Sequence, residues 1–172
     1  MCASLVGLEQ GDPYAVARIL LLHSVILSSG GLPLFYLGDE VGTLNDFGYQ
    51  SDPNKQDDSR WVHRPPRDAA RYAQRTDLST SAGQIYQGLR HLIELRKNTD
   101  ALSGARLTIF DCKNPHVLGY LRNDAVLVLA NFSEADQTVL AHVLSAMPTQ
   151  ARDLISGEHY ALDADLCLKP YQ

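Results

Sequence analysis

The sequence lacks an excess of positive charge and has no long hydrophobic run. Its 172 residues include 15 lysines and arginines against 20 aspartates and glutamates, a formal net charge of -5 at pH 7. This balance disfavours DNA and RNA as partners, because basic surface supplies most of the affinity for nucleic acid. No apolar run approaches the length of about 18 residues that spans a bilayer, and the first residues do not resemble a signal peptide. We therefore expect a cytoplasmic protein that binds neither nucleic acid nor membrane.

Cysteine is also scarce. Cys2, Cys112 and Cys167 have neither CxxC nor Cys-His spacing, so they predict no disulfide framework and no zinc site. We expect three reduced thiols. The composition, 45% hydrophobic and 20% charged, is typical of a globular protein, and the length suits one domain or slightly more.

The first part of the chain predicts a helix followed by a buried strand. Asp12 has the position of an N-cap, Pro13 follows it, and apolar residues recur at helical spacing until Gly30. Leu32–Leu37 is an apolar run next to glycines, the pattern of a strand buried on both faces of a parallel sheet. Parallel strands need crossover neighbours, and the sequence contains no second strand of this kind. This lone strand indicates that half of a fold is missing.

A long segment without helix or strand periodicity follows at residues 38–79. It covers roughly forty positions, more than most connections in compact domains. Acidic and basic residues are mixed along it, while aromatic residues such as Phe47, Trp61 and Tyr72 favour an ordered surface over disorder. A short helix is predicted near Arg67–Arg75.

The remaining sequence predicts one more long helix and then an antiparallel sheet. Ser81 and Gln84 have the spacing of a capping box, and the helix that they begin is predicted to end near Lys97. Asn123 and Asp124 predict a two-residue hairpin turn, because both residue types tolerate positive φ. Period-two segments predict seven strands: Arg106–Phe110, Val117–Arg122, Ala125–Asn131, Gln137–His142, Ala151–Ile155, His159–Leu162 and Leu166–Lys169.

Four segments of the chain carry the motifs of a known family. They are GGLPLFYLGDEVGTLND (Gly30–Asp46), DDSRWVHRP (Asp57–Pro65), GQIYQGLRHLIELRK (Gly83–Lys97) and AVLVLANFSE (Ala125–Glu134). Taken together they resemble glycoside hydrolase family 13, the alpha-amylase family, and within it the amylosucrase and sucrose hydrolase branch. The resemblance covers essentially the whole chain.

In that family a (β/α)8 catalytic barrel precedes an antiparallel β-sandwich called domain C. The resemblance implies that Leu32–Leu37 is the last barrel strand, residues 38–79 the loop after it, and residues 80–97 the last barrel helix. Residues 1–100 would be the C-terminal end of the barrel and residues 101–172 domain C. The expected fold class is therefore α+β, a barrel fragment joined to a sandwich, because a complete barrel needs about 250 residues.

The resemblance places the family's catalytic carboxylates on barrel strands that these residues do not include. Retaining glycosidases use two carboxyl groups about 5 Å apart. Asp39 and Glu40 follow the predicted last strand, but adjacent residues of an extended segment point to opposite sides. We therefore assign no catalytic residue within this sequence, and we expect no metal and no cofactor.

Arg60 in DDSRW is the residue to which the resemblance gives a substrate-binding role. It matches the family's arginine that pairs with an aspartate from an early barrel loop and closes the glucosyl end of the sugar pocket. A guanidinium group can hold a carboxylate through two hydrogen bonds, which makes a rigid wall. Trp61 is open to two interpretations, stacking on a sugar ring or anchoring the loop.

The other polar candidates favour structural roles. His23 lies on the apolar side of the first helix and predicts a core histidine rather than a ligand. The loop acids lack the oxygen-ligand spacing of a calcium site, and the interleaved Lys55 and Arg60 favour ion pairing instead. These acids are Asp46, Asp52, Asp57 and Asp58.

The resemblance implies part of a retaining α-glucosidase or glucosyltransferase that acts on sucrose, by hydrolysis or by transfer of glucose to an α-glucan. Its partners would be sucrose, α-glucan and the missing N-terminal barrel half of the same polypeptide. The isolated chain is expected to be inactive. Two alternatives stay open: a standalone carbohydrate-binding or interaction module built on the β-sandwich, and an inert product of a truncated gene.

Overall fold

The computed structural model describes residues 1–172, which divide into two compact units. The first unit comprises Met1–Leu20 and Leu34–Arg90, and the second comprises Leu21–Pro33 and His91–Gln172. Because the units are interleaved along the chain, the domain boundary at residues 100 and 101 stays a prediction. None of the helices has the length and hydropathy needed to cross a membrane.

Four α-helices and seven β-strands form the regular structure. The helices are α1 (Cys2–Leu5), α2 (Ala15–Ser28), α3 (Ala69–Ala73) and α4 (Ser81–Asn98). The strands are β1 (Leu107–Phe110), β2 (Val117–Arg122), β3 (Val126–Asn131), β4 (Gln137–Val139), β5 (Gln150–Arg152), β6 (His159–Ala161) and β7 (Leu166–Leu168).

Helix α2 begins and ends at the signals that the sequence carries. Asp12 Oδ1 accepts a hydrogen bond of 2.8 Å from the backbone N–H of Tyr14, just before the helix. After Ser28 the chain turns through Gly30 and Gly31, whose φ angles are 103° and 75°. Such positive φ values suit glycine, and they stop the helix where the apolar periodicity ends.

Helix α4 is capped one residue earlier than the sequence predicts. Thr80 Oγ1, rather than the hydroxyl of Ser81, accepts a hydrogen bond of 3.1 Å from the N–H of Gly83. Gln84 Nε2 donates to the carbonyl of Leu78 at 3.0 Å. The capping-box prediction was therefore one residue out of register, because two neighbouring hydroxyl residues can both serve as caps.

Leu32–Leu37 does not form the buried strand that the sequence predicts. The segment has no ladder partner, and the side chains of Leu32, Leu34 and Leu37 are 99%, 82% and 79% exposed. A strand exists only through hydrogen bonds to a neighbouring strand, and this chain supplies none beside the segment. Its apolar composition therefore does not reflect a strand buried within this chain.

The segment at residues 38–79 is ordered by short turns of helix rather than by strands. Its 3₁₀ turns are Asp39–Val41, Phe47–Ser51 and Ser59–His63, and α3 confirms the short helix predicted near Arg67–Arg75. The carboxylates of Asp46, Asp58 and Asp68 each accept a backbone N–H at the start of the next turn. These three aspartates act as N-caps, which accounts for part of the acidic composition of the loop.

All seven predicted strands are present, and their pairing is antiparallel throughout. They form three small sheets with the orders β1-β2-β3, β4-β7 and β5-β6. The β2–β3 hairpin pairs Arg122 with Val126, so its loop has three residues rather than the predicted two. Asn123 and Asp124 do adopt positive φ there, 48° and 54°, as their residue types favour.

The three sheets of the second unit share one apolar core. Its buried members are Cys112, Val117, Val139, Leu144, Leu162 and Leu168. They come from all parts of the sheet region, so the strands are held together by side chains rather than by one continuous ladder. The predicted fold class, a mixed α+β chain with antiparallel sheets, is confirmed.

Candidate functional site

A cavity of about 780 Å³ lies in the first unit, between the N-terminal residues 1–5 and parts of the segment 36–64. Polar and apolar side chains share its wall. They are Met1, Cys2, Ser4, Leu5, Tyr36, Asp39, Asn45, Arg60, His63 and Arg64. The volume lies within the range of about 300–1,000 Å³ that is usual for small-molecule pockets. This cavity is the candidate functional site.

Arg60 contributes an exposed guanidinium to the cavity wall. The 3₁₀ turn Ser59–His63 presents it, and Asp58 begins that turn by accepting the backbone N–H of Arg60 at 3.0 Å. The same carboxylate receives two side-chain bonds, from Arg60 Nε at 2.8 Å and from Nη2 at 2.9 Å. The result is a bidentate pair, although the Arg60 side chain is 73% exposed.

The pairing strongly favours the ionised form of Asp58. Its side-chain and backbone hydrogen bonds from Arg60 lower the pKa of Asp58 to about 2, with smaller contributions from the charges of Arg60 and Arg64. The pKa of Arg60 is raised, first by the hydrogen bond to Asp58 and then by its charge. Both groups therefore stay charged across the physiological pH range.

Asp39 and Glu40 face different parts of the first unit. Asp39 lines the cavity, and its Oδ1 accepts the backbone N–H of Cys2 at 3.0 Å. Glu40 instead accepts the backbone N–H of Gly38 at 2.7 Å and the hydroxyl of Tyr72 at 2.5 Å. The two carboxylates thus face different surroundings, although Asp39–Val41 is a 3₁₀ turn and not the extended segment from which the sequence predicted their opposite orientation.

Glu40 belongs to a second, smaller cavity of about 320 Å³. Burial raises the pKa of Tyr72 to about 12, and the hydrogen bond to Glu40 adds to this effect. The guanidinium of Arg67 lies 4.7 Å from the centroid of the Tyr72 ring. These contacts tie α3 to the start of the loop, which is a structural role.

Trp61 is partly buried and carries two cations on its ring. Lys55 Nζ lies 5.0 Å from the ring centroid, and the guanidinium of Arg64 lies 5.5 Å from it. Lys55 also pairs with Asp52 at 3.3 Å. Asp52 and Asp58 therefore form ion pairs with Lys55 and Arg60, as the sequence predicts. Trp61 has the contacts of a loop anchor.

The other residues that the sequence singles out lie away from the cavity or have structural contacts. His23 is buried in α2, at 4% exposure. No group of three or more His, Cys, Asp or Glu residues could hold a metal ion. The cysteines are unpaired, with Cys2 at the cavity, Cys112 in the core and Cys167 exposed.

Sequence reasoning missed several residues of the cavity. Tyr36, Asn45, His63 and Arg64 share its wall, and the sequence pattern alone singles out none of them. The motif DDSRWVHRP did contain the signal, because three of its residues lie in one 3₁₀ turn or directly after it. The contribution of Tyr36 and Asn45 depends on chain folding that local patterns do not describe.

Comparison with known proteins supports the resemblance at the level of fold. Glucosylglycerate phosphorylase of Escherichia coli (strain K12) is 28% identical over 175 residues, which cover 95% of this chain and 29% of that protein. No protein-family profile matches the chain. The chain thus spans less than a third of the length of this curated relative.

Solved structures give the same result. Trehalulose synthase MutB from Pseudomonas mesoacidophila MX-45 matches with a TM-score of 0.64 and 22% identity, over 90% of this chain and 37% of that one. A MutB variant in complex with the substrate sucrose matches with a TM-score of 0.63. Trehalose-6-phosphate hydrolase (TreA) of Bacillus licheniformis matches with a TM-score of 0.63 and 18% identity, over 94% of this chain and 38% of that one. The fold of this chain is thus similar to that of less than two fifths of each solved enzyme, which agrees with the fold implied by the resemblance of its sequence to the alpha-amylase family.

Proposed function

We propose that this chain is part of a retaining α-glucosidase or glucosyltransferase that acts on sucrose. The reaction passes glucose from sucrose to water or to the end of an α-glucan. The observation that carries the proposal is the position of Arg60, whose guanidinium lines a cavity large enough for a sugar. The motif around it, DDSRW, is the one that resembles the sucrose-acting branch of the family.

Within that enzyme, this chain supplies one wall of the sugar pocket. Asp58 occupies Nε and Nη2 of Arg60 and leaves Nη1 without a hydrogen bond. A guanidinium has five N–H donors, so Nη1 can still bind a second carboxylate from the barrel. Such a pair would close the glucosyl end of the pocket while Asp58 keeps the guanidinium in place.

The bond-breaking step belongs to residues outside this chain. A retaining mechanism needs a nucleophilic carboxylate and a second carboxyl that serves as acid and then as base. The first forms a covalent glucosyl intermediate, and the second protonates the leaving fructose and then activates the acceptor. Neither Asp39 nor Glu40 fits these roles, because the two side chains point into different cavities.

The similar proteins support a sugar-active enzyme, but they differ from one another in substrate. MutB binds sucrose, whereas the other two relatives are described as a glucosylglycerate phosphorylase and a trehalose-6-phosphate hydrolase. We propose sucrose as the substrate because the DDSRW motif resembles the amylosucrase and sucrose hydrolase branch. The products must therefore be identified individually.

An immunocapture assay tests the proposal. The native protein is captured from source cells with an antibody against residues 104–172 and is incubated with sucrose, with and without phosphate. We expect free fructose together with glucose or an α-glucan, and no product from a heat-treated sample. Trehalulose or a glucose phosphate as the main product would contradict the proposed reaction. The purified 172-residue chain alone is expected to release no fructose.

A further inference from the structure

Arg64 is a cationic residue of the cavity wall that forms no ion pair, although its charge contributes a little to lowering the pKa of Asp58. Arg60 is held by Asp58 through two hydrogen bonds. Arg64 forms no ion pair and its side chain donates no hydrogen bond, although it lies in the same wall. Its N–H donors are therefore available to a ligand.

The ring of Trp61 holds the Arg64 side chain in position. The guanidinium lies 5.5 Å from the ring centroid, and a guanidinium stacked on an aromatic face keeps its N–H donors free at the edge. Lys55 lies 5.0 Å from the same centroid and adds positive charge nearby. An anion that binds here meets an arginine whose conformational freedom is already reduced.

Two further side chains of the cavity have unused donors. His63 and Tyr36 line the cavity, and neither the imidazole nor the phenol forms a hydrogen bond within the chain. Asp39 uses Oδ1 to accept the N–H of Cys2, which leaves Oδ2 open as an acceptor. The wall thus offers several donors and one carboxylate oxygen to the same ligand.

We propose that this cavity binds a phosphate-type oxyanion at Arg64, with His63 and Tyr36 as further donors. The guanidinium edge matches two phosphate oxygens. Asp39 repels a bare anion but accepts a hydrogen bond from a sugar hydroxyl, so a phosphorylated sugar satisfies both sides of the cavity. The ligand class is therefore inorganic phosphate or a sugar phosphate. The inference goes beyond the proposed function, because it concerns binding by this chain without the barrel and without sucrose.

Titration of the 172-residue chain tests the inference. Inorganic phosphate, glucose and glucose 6-phosphate are added separately at constant ionic strength, and the fluorescence of Trp61, the single tryptophan of the chain, is recorded. We expect a saturable change at millimolar concentration with glucose 6-phosphate, with phosphate, or with both, because the anion alters the contact of Arg64 with the ring. Binding of phosphate alone would identify the free anion as sufficient, and binding of the sugar phosphate alone would show that Asp39 and the hydroxyls contribute.

Substitution of Arg64 provides the decisive comparison. Because the substitution itself changes the surroundings of Trp61, affinities of the variants are measured by ³¹P NMR. R64Q is expected to weaken binding by about tenfold or more, the loss of a charge-assisted hydrogen-bonded pair, and R64K to retain part of it. R75Q, which removes an exposed arginine outside the cavity wall, should bind as the original chain does. No saturable response, equal binding by R64Q, or glucose binding as tightly as glucose 6-phosphate would overturn the inference.

Discussion

The Arg60–Asp58 pair shows how hydrogen bonds can shift the pKa of a carboxyl group at the protein surface. Asp58 accepts three hydrogen bonds from one residue, two from the guanidinium and one from the backbone N–H. These bonds lower the pKa of Asp58 to about 2, from an ordinary value of about 3.9. The contribution of the pair to stability is fully present above the unfolded-state pKa, and it is lost as the pH falls toward the folded-state pKa.

A titration of the Asp58 carboxyl followed by ¹³C NMR checks this pair. We expect a midpoint of about 2 in the original chain, and in R60Q a rise part of the way toward about 3.9, because the backbone N–H of residue 60 still donates. R75Q serves as the control and should leave the midpoint unchanged. An Asp58 midpoint near the ordinary aspartate value in the original chain would show that the pair does not form in solution.

Arg122 is a buried cation that acts as a structural clamp in the second unit. Its side chain is fully buried and donates to the carbonyls of Leu102, Gly104 and Arg106 at 3.2, 2.7 and 2.7 Å. No acid is paired with it, so its charge is balanced by carbonyl dipoles alone. It connects the end of the hairpin to the segment that precedes β1.

Replacing Arg122 should destabilise this unit strongly. R122A leaves three carbonyls without their donor and opens a cavity, so we expect the free energy of unfolding to fall by about 3 kcal/mol or more. R152A, which truncates an exposed arginine of β5, should change it by less than about 0.5 kcal/mol. Thermal and urea unfolding monitored by circular dichroism measure both. Equal stability of the two variants would contradict the clamp.

The sequence predicts the roles of some residues and not of others, depending on whether their partners are local or distant in the chain. The cap at Asp12 and the positive φ of Asn123 and Asp124 follow from local side-chain chemistry, so the sequence located them correctly. The buried Arg122 could not be predicted, because its three carbonyl partners are brought together only by the folded loop. Arg64 could not be predicted either. It forms no ion pair because Asp58 binds Arg60 and Asp52 binds Lys55, and the sequence does not show which acid binds which base.

Gly83 in helix α4 packs so closely against neighbouring backbone that there is no room for a side chain. A Cβ atom at Gly83 would lie 1.9 Å from the carbonyl oxygen of Asp77 and 3.0 Å from that of Gln74. A backbone group cannot move aside as a flexible side chain can. At Gly88 the nearest atom would be Leu20 Cδ2 at 2.6 Å, which belongs to a side chain that can rotate.

Alanine at these two positions should therefore have unequal effects. Alanine normally stabilises a helix relative to glycine by about 1 kcal/mol. We expect G83A to lower the free energy of unfolding by about 2–3 kcal/mol, because the backbone must shift to relieve the overlap, and G88A to have a clearly smaller effect. Urea unfolding of both variants gives the comparison. A G83A chain as stable as the original would show that the helix does not approach residues 74–77 so closely.

Secondary structure was predicted well where the determining interactions are local. The boundaries of α2, α4 and all seven strands agree with the sequence pattern to within a few residues. Leu32–Leu37 failed because a strand depends on partners, and the pattern describes only the segment itself. The three separate sheets could not be predicted either, since alternation reveals which residues face a core but not which strands pair.

The whole chain combines a well-formed sheet region with an apolar segment, Leu32–Leu37, that is largely exposed. Leu32, Leu34 and Leu37 are largely exposed, and exposed apolar runs of this kind usually mark contact surfaces. The chain spans less than two fifths of the solved structures that it matches. Both observations support the proposal that these residues act as part of a larger sugar-active enzyme, with the barrel covering the segment.

The size of the native polypeptide is the measurement to make first. Extract of source cells is separated on a denaturing gel and probed with an antibody against residues 104–172. The proposal predicts a band several-fold heavier than the 19.0 kDa of this chain, since a barrel alone needs about 250 residues. A band at 19.0 kDa with nothing heavier would contradict it and would favour a standalone module or an inert product.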